Sequence, residues 1–344
     1  MKRVTAVLLF VIVLLSAATP LHAQTVLRLS NWLPSQHPLF EQTIKPWTEQ
    51  VTKATDGRVV IQLLAAPLGP PAAHFDFAAN GVADVTFGIH SYTPGRFTAT
   101  LLAELPFQTE SAEYLSVAYW RVHQRYLAKA NEHRGTKLLA IFTHGPGQLW
   151  TRDRDLSSMQ SLRGSKIRVA GGFAQDGAKA LGVIPIQAPV TEVYQVLAGG
   201  IADGVEFPAE SIDSFNLTGV LDRGLLVPGG LYNVSMFLVV NAGRWSKLSK
   251  QDQDAIMSVS GEQLARTAGR TWDRADADAL ASMRKAGKIE LATPSEQQMA
   301  AIRKALEPYV TKTLQQISAK GIDARAAQQE LQKEIAALKA RGGS

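Results

Sequence analysis

Apolar residues in this chain switch repeatedly between two spacings. Val26-Leu-Arg-Leu-Ser30 alternates, as a half-buried strand does. Phe40, Ile44, Trp47, Val51 and Ala54 then follow at spacings of four, three, four and three, which lines one face of a helix. Pro46 falls inside that stretch and is expected to kink it or to mark a late start. Thr55-Asp-Gly57 closes the helix and Val59-Val-Ile-Gln-Leu-Leu64 reads as the next strand, giving a β-α-β unit and hence a parallel sheet. The alternation continues. Strands are expected around Asp84-Val-Thr-Phe-Gly88, Lys137-Leu-Leu-Ala-Ile-Phe142 and Gly204-Val-Glu-Phe207, and helices over 111–130, about 191–197 and most of 249–287. Two helical stripes end the chain, Met299, Ile302, Leu306, Tyr309 and Val310, then Leu331, Ile335 and Leu338.

Two places break this rhythm. His144-Gly-Pro-Gly147 has the composition of a crossing between domains, and the long apolar run Tyr232-Asn-Val-Ser-Met-Phe-Leu-Val-Val-Asn241 reads as a strand returning to the first. Strands alternating with helices, one crossover and one return predict an α/β protein with two lobes around a ligand cleft and a hinge of crossing segments. The first lobe is expected over 24–145 and 233–272. The second takes 146–232 and 273–344, including the C-terminal helices.

Lys2 and Arg3, an apolar run over 4–18 and Leu21-His-Ala23 have the layout of a cleaved secretory signal peptide, expected over 1–23. That points to export across the inner membrane into the periplasm. No cysteine is present, which excludes disulfides and thiolate metal sites. Of the 36 basic residues, 34 remain beyond the leader against 30 acidic ones, a net charge of +4. These charges are scattered, so nucleic acid is not an expected partner.

Catalytic signatures are missing. None of the seven histidines has a metal-ligand spacing, and no Gly-x-Ser-x-Gly elbow or phosphate-binding loop is present. Gly145-Pro-Gly147 is followed by Gln148-Leu-Trp150, without the third glycine of a dinucleotide loop. No catalytic residue, cofactor or metal is therefore expected.

The candidate chemistry lies in Gly164-Ser-Lys-Ile-Arg-Val-Ala-Gly-Gly172, a short strand ending in two glycines. Lys166 and Arg168 share one face of it, Ile167 and Val169 the other. Ligands of open α/β sheets bind beyond the carboxyl ends of strands, where Gly171 and Gly172 would let a small molecule approach the backbone. A guanidinium there can clamp a carboxylate; the alternative is a structural ion pair.

Leu162-Arg-Gly-Ser-Lys-Ile-Arg168, with the run from Ala180 through Ala198-Gly-Gly-Ile-Ala-Asp-Gly-Val-Glu-Phe-Pro208, resembles the solute-binding proteins of TRAP transporters, the DctP family. Thr55-Asp-Gly-Arg58, Gly81-Val-Ala-Asp84 and Leu105-Pro-Phe107 continue the resemblance in order. It implies the two-lobed periplasmic-binding-protein fold, a monomer that captures a small organic acid by cleft closure, and membrane partners made of a small and a large transporter subunit. The same scaffold could instead serve a sensor. An exported enzyme acting on a small acid is a more distant reading.

Aligned with the sialic-acid-binding members, the family's binding positions fall on Trp32, Ile89, His90, Gly147, Arg168, Gly171 and Phe207. Trp32 replaces an Asn, Ile89 a Glu, Gly147 a second Arg and Phe207 an Asn. Each change removes a polar contact, so the pocket is expected to prefer an apolar or aromatic monocarboxylate. Trp150 and Phe173 near the crossover, and His37 and Tyr92 on loops at the cleft mouth, are further candidates. Glu206 is expected to orient Arg168 or support the hinge.

Overall fold

The computed structural model describes residues 24–342, so the expected signal peptide lies outside the described residues. The strands are β1 (Thr25–Ser30), β2 (Val59–Leu63), β3 (Val85–Ile89), β4 (Thr136–Thr143), β5 (Gln148–Thr151), β6 (Lys166–Val169), β7 (Ile184–Gln187), β8 (Gly204–Phe207), β9 (Arg223–Leu225), β10 (Ser235–Asn241) and β11 (Glu290–Ala292). They form two sheets, one in the order β2-β1-β3-β10-β4 and one in the order β11-β9-β5-β8-β6-β7. The first begins with the predicted parallel unit, since β1 runs parallel to both β2 and β3. β10 returns to it antiparallel, between β3 and β4. In the second, β6 is parallel to β7 and β8, and β5 is antiparallel to β8 and β9. This is the two-lobed α/β architecture.

Local chemistry explains where the helices begin and end. The helical path is continuous over 38–54, so Pro46 interrupts its ladder by lacking an N–H, and the Phe40–Ile44 stretch just before it is widened into a π-turn. Ser111 caps the Ala112–Val122 helix by accepting from the Tyr114 amide; beyond Val122 the chain widens into a π-turn over His123–Leu127 and tightens again over Ala128–Ala130. The expected single helix over 111–130 is thus three segments.

Two helices pack in ways that bear on the lobe boundaries expected from sequence. The Gly261–Ala286 helix runs unbroken through 272/273 and packs on both the Ala112–Val122 helix of the first lobe and the Ala209–Ser214 helix of the second. The last helix, Ala324–Gly342, lies against the Ala112–Val122 helix of the first lobe, where Arg121 meets Glu334 at 2.8 Å. A stripe of apolar residues shows that a helix is buried but not which surface buries it.

Candidate ligand-binding site

Arg168 is completely buried at the centre of the molecule. Strand alternation holds its backbone between Ile186 of β7 and Val205 of β8, while Lys166, two residues earlier on the same face, is exposed. Its Nε and Nη2 donate to the Ala188 carbonyl at 2.9 and 2.6 Å, and Nη2 also reaches the Tyr92 hydroxyl at 3.4 Å. Nη1 has no hydrogen-bond partner among the described residues. The guanidinium carbon stands 4.7 Å above the Phe207 ring, a cation–π arrangement.

The charge on Arg168 is not cancelled by its acidic neighbour. Burial pushes the Glu206 carboxyl up to about 8, against the opposing pull of Arg168, so Glu206 is mostly neutral at pH 7. Among the described residues, the guanidinium's hydrogen bonds go to Ala188 and Tyr92 and none goes to Glu206. A cation with an unused N–H in an apolar enclosure favours an anion.

The enclosure, counted with the space that opens to solvent, holds about 440 Å³. Its walls come from the first lobe (Trp32, Phe87, Ile89, Tyr92), the second (Val190, Phe207, Phe215) and the crossing segments (His144, Tyr232, Trp272). Trp32 stacks on Phe87 at 5.2 Å, and its indole N–H donates to the Phe87 carbonyl at 3.1 Å, so the polar atom is satisfied inside the wall. The Tyr92 hydroxyl spans the lobes by accepting from the Val190 amide at 2.9 Å. On the cleft's other flank, His37 Nδ1 accepts from the Leu39 amide, which leaves its Nε2 facing Glu210 at 3.4 Å.

Arg168, Phe207, Trp32, Ile89, Tyr92 and His37 all line this one cavity. The other candidates are not in the wall. His90 turns away from Ile89 into the first lobe, where Ser235 Oγ and His133 Nε2 each lie 2.8 Å from its nitrogens and burial lowers its pKa to about 3. Trp150 donates its indole N–H to the Phe207 carbonyl at 2.9 Å and lays its ring against Gly224, within the second lobe. Phe173 packs on Gly177 of its own helix, Gly172–Ala180.

The glycine pair also has a different role from the one expected. Gly171 and Gly172 have φ of +120° and +60°; a Cβ on Gly171 would lie 2.8 Å from the Ser91 carbonyl oxygen, and one on Gly172 would collide with the Glu104 carboxylate. What approaches these glycines is the first lobe itself. Glu104, which burial pushes up to about 8, accepts there from the Phe173 amide at 3.2 Å and from the Ser235 amide at 3.3 Å. Gly147 likewise makes room for protein, because the Tyr232 ring lies directly on it.

Sequence reasoning missed Tyr232, His144, Trp272 and Phe215 in the wall. The first two lie in segments whose composition marks them only as crossings. Trp272 sits at a spacing on the long helix that is equally consistent with ordinary core packing.

Two α/β lobes joined by crossing segments, closing an apolar cavity on a buried cation, define a two-lobed small-molecule binding protein. The chain belongs to the DctP family of bacterial extracellular solute-binding proteins, family 7, whose profile matches residues 29–316. It is similar to a TRAP periplasmic solute-binding protein of Bordetella bronchiseptica solved with (R)- and (S)-mandelate, at 42% identity and a TM-score of 0.89 over 91% of this chain and 99% of that one. A TRAP solute-binding protein of Rhodoferax ferrireducens with copurified benzoate is 25% identical, with a TM-score of 0.85 over 93% of this chain and all of that one. A marine metagenome TRAP solute-binding protein described as specific for aromatic acids, solved with 3-hydroxybenzoate, is 27% identical with a TM-score of 0.84, over 91% and 98% of the two chains. The outer membrane transporter protein TsaT of Comamonas testosteroni is 31% identical over 255 residues, 73% of this chain and 75% of that one. Among the described residues, no helix is long and apolar enough to cross a membrane.

Proposed function

We propose that this TRAP solute-binding protein captures a small aromatic monocarboxylate in the periplasm and delivers it to the membrane subunits of its transporter. The observation that carries this reading is Arg168: a buried guanidinium with Nη1 unpaired, in a cavity walled by aromatic and aliphatic side chains. The carboxylate accepts from Nη1 and the ring lies among Trp32, Phe207 and Tyr232. Similar proteins bound to mandelate, benzoate and 3-hydroxybenzoate support the ligand class.

The magnitudes agree. A charge-assisted hydrogen bond contributes roughly 1.5–3 kcal/mol, whereas micromolar affinity needs about 8 kcal/mol. Burying ~100 Å² of ring at ~25 cal/mol per Å² adds roughly 2.5 kcal/mol. A sugar acid would leave hydroxyls without partners along most of this wall, at about 1–3 kcal/mol each. Membership of a family of solute-binding proteins supports capture and release without turnover.

The test is a thermal-shift and calorimetric screen of refolded, ligand-stripped protein. Benzoate and mandelate are expected to raise the melting temperature, while galactonate and succinate do not, and Arg168→Ala abolishes the rise. Equal binding of aromatic acids by Arg168→Ala protein, or a rise confined to sugar acids or dicarboxylates, overturns the reading.

A further inference from the structure

The cavity wall holds a second polar pair that the carboxylate clamp does not use. His144 follows β4 directly, where the chain leaves for the second lobe. Its Nδ1 lies 2.5 Å from the Gly145 carbonyl oxygen. A carbonyl can only accept, so Nδ1 carries the proton, and Nε2 presents a lone pair. Burial lowers the pKa of this ring to about 4, so the neutral tautomer persists at neutral pH. No described residue donates a hydrogen bond to Nε2.

Trp272, on the long Gly261–Ala286 helix, carries the complementary unpaired group. Its indole N–H is buried with no hydrogen-bond partner among the described residues. The two rings are neighbours, 5.8 Å apart between centroids and inclined at 64°, and both line the cavity. Nearby groups of the same types are already engaged: Trp32 donates to the Phe87 carbonyl, and His37 has one nitrogen on the Leu39 amide and the other facing Glu210. Buried polar atoms are rarely left unpaired, and here an unpaired donor and an acceptor with no donor belong to neighbouring rings in one cavity wall.

A single hydroxyl satisfies both, its oxygen accepting from the indole and its proton going to the imidazole. We propose that His144 and Trp272 form a hydroxyl-recognising subsite, making hydroxylated aromatic monocarboxylates the preferred cargo. The proposal rests on the aromatic-acid reading of the same cavity. It separates ligands of similar shape by their hydrogen-bonding capacity. An ether oxygen can accept from Trp272 but has nothing to donate to His144. A second carboxylate would turn negative charge toward the His144 lone pair. An unsubstituted ring leaves both groups as they are.

The experiment is calorimetric titration of refolded, ligand-stripped protein at pH 7.5 with benzoate, the three hydroxybenzoates, mandelate, and the methoxy counterpart of whichever hydroxy acid binds best. At least one hydroxy acid is expected to bind about tenfold more tightly than benzoate, and its methoxy counterpart to lose that gain. In His144→Phe and Trp272→Phe protein the ratio of hydroxy-acid to benzoate affinity falls toward one, whatever happens to benzoate affinity itself. The proposal is overturned if no hydroxy acid exceeds benzoate, if the methoxy compound binds as well, or if the ratio survives both substitutions. Should a variant fail to fold, the wild-type series decides alone. If benzoate binds but hydroxylation has no effect, only the subsite fails; if no aromatic acid binds, the ligand class fails with it.

Discussion

Arg168 directs two nitrogens at the single carbonyl of Ala188, Nε at 2.9 Å and Nη2 at 2.6 Å. That pair of bonds fixes the plane of the guanidinium before any ligand arrives, and Phe207 supports its face. The third nitrogen is left aimed by geometry already in place, so little side-chain freedom remains to be lost on binding.

Arg168→Lys should therefore cost nearly as much as removal. An ammonium on a flexible stem cannot hold the Ala188 carbonyl and a carboxylate in one plane. Affinity for benzoate is expected to fall by roughly 10–100-fold, measured by calorimetry, with the fold intact by circular dichroism. Retained affinity would show that charge alone suffices.

Tyr92→Phe removes the acceptor that the Val190 amide finds across the lobes at 2.9 Å. A buried amide left unpaired costs about 1–3 kcal/mol, and only in the closed form. Affinity should drop about tenfold while the melting temperature of ligand-free protein barely moves. Equal loss in both states would mark Tyr92 as ordinary core.

Gly172→Ala acts on closure itself. With φ at +60° and the Glu104 carboxylate and Ser91 Cβ against the position, an added methyl has no room while the lobes are together. Small-angle scattering should show a radius of gyration that stays at its ligand-free value when ligand is added, and affinity should fall at least tenfold.

Stability should fall as pH rises above about 6.5. Burial lowers His90 to about 3 and His123 and His144 to about 4, so between those values and the unfolded value of 6.5 the unfolded chain binds more protons and stability rises with pH. Glu104 and Glu206 are pushed up from 4.5 to about 8, so over that window the folded protein holds more protons and stability falls with pH. Above 6.5 only the carboxyl effect remains. Melting temperature should therefore decline between pH 6.5 and 8, and Glu206→Gln should flatten that decline; an unchanged slope would count against the buried proton.

Much of this was legible in sequence. Period-two and period-3.6 patterns located the parallel β1-β2 unit and the return through β10, because both depend on residues near in sequence or on one long apolar run. The Arg168 strand was legible too, since alternation fixes which side chains share a face. What patterning could not supply was what faces each residue across the cleft. His90 and Ile89 are adjacent, yet one enters the first lobe and the other the cavity wall. Gly171 and Gly172 announced a close approach without saying that Ser91 and Glu104 make it. Tyr232 and Trp272 reach the cavity only because distant segments cross there, and a crossing leaves no periodic trace.

The complete burial of Arg168 behind walls drawn from both lobes has a kinetic consequence. On the proposed function, cargo held there would depart only when the lobes separate, so its dwell time would be set by how often the hinge opens and could not be shortened by competitor in the surrounding medium.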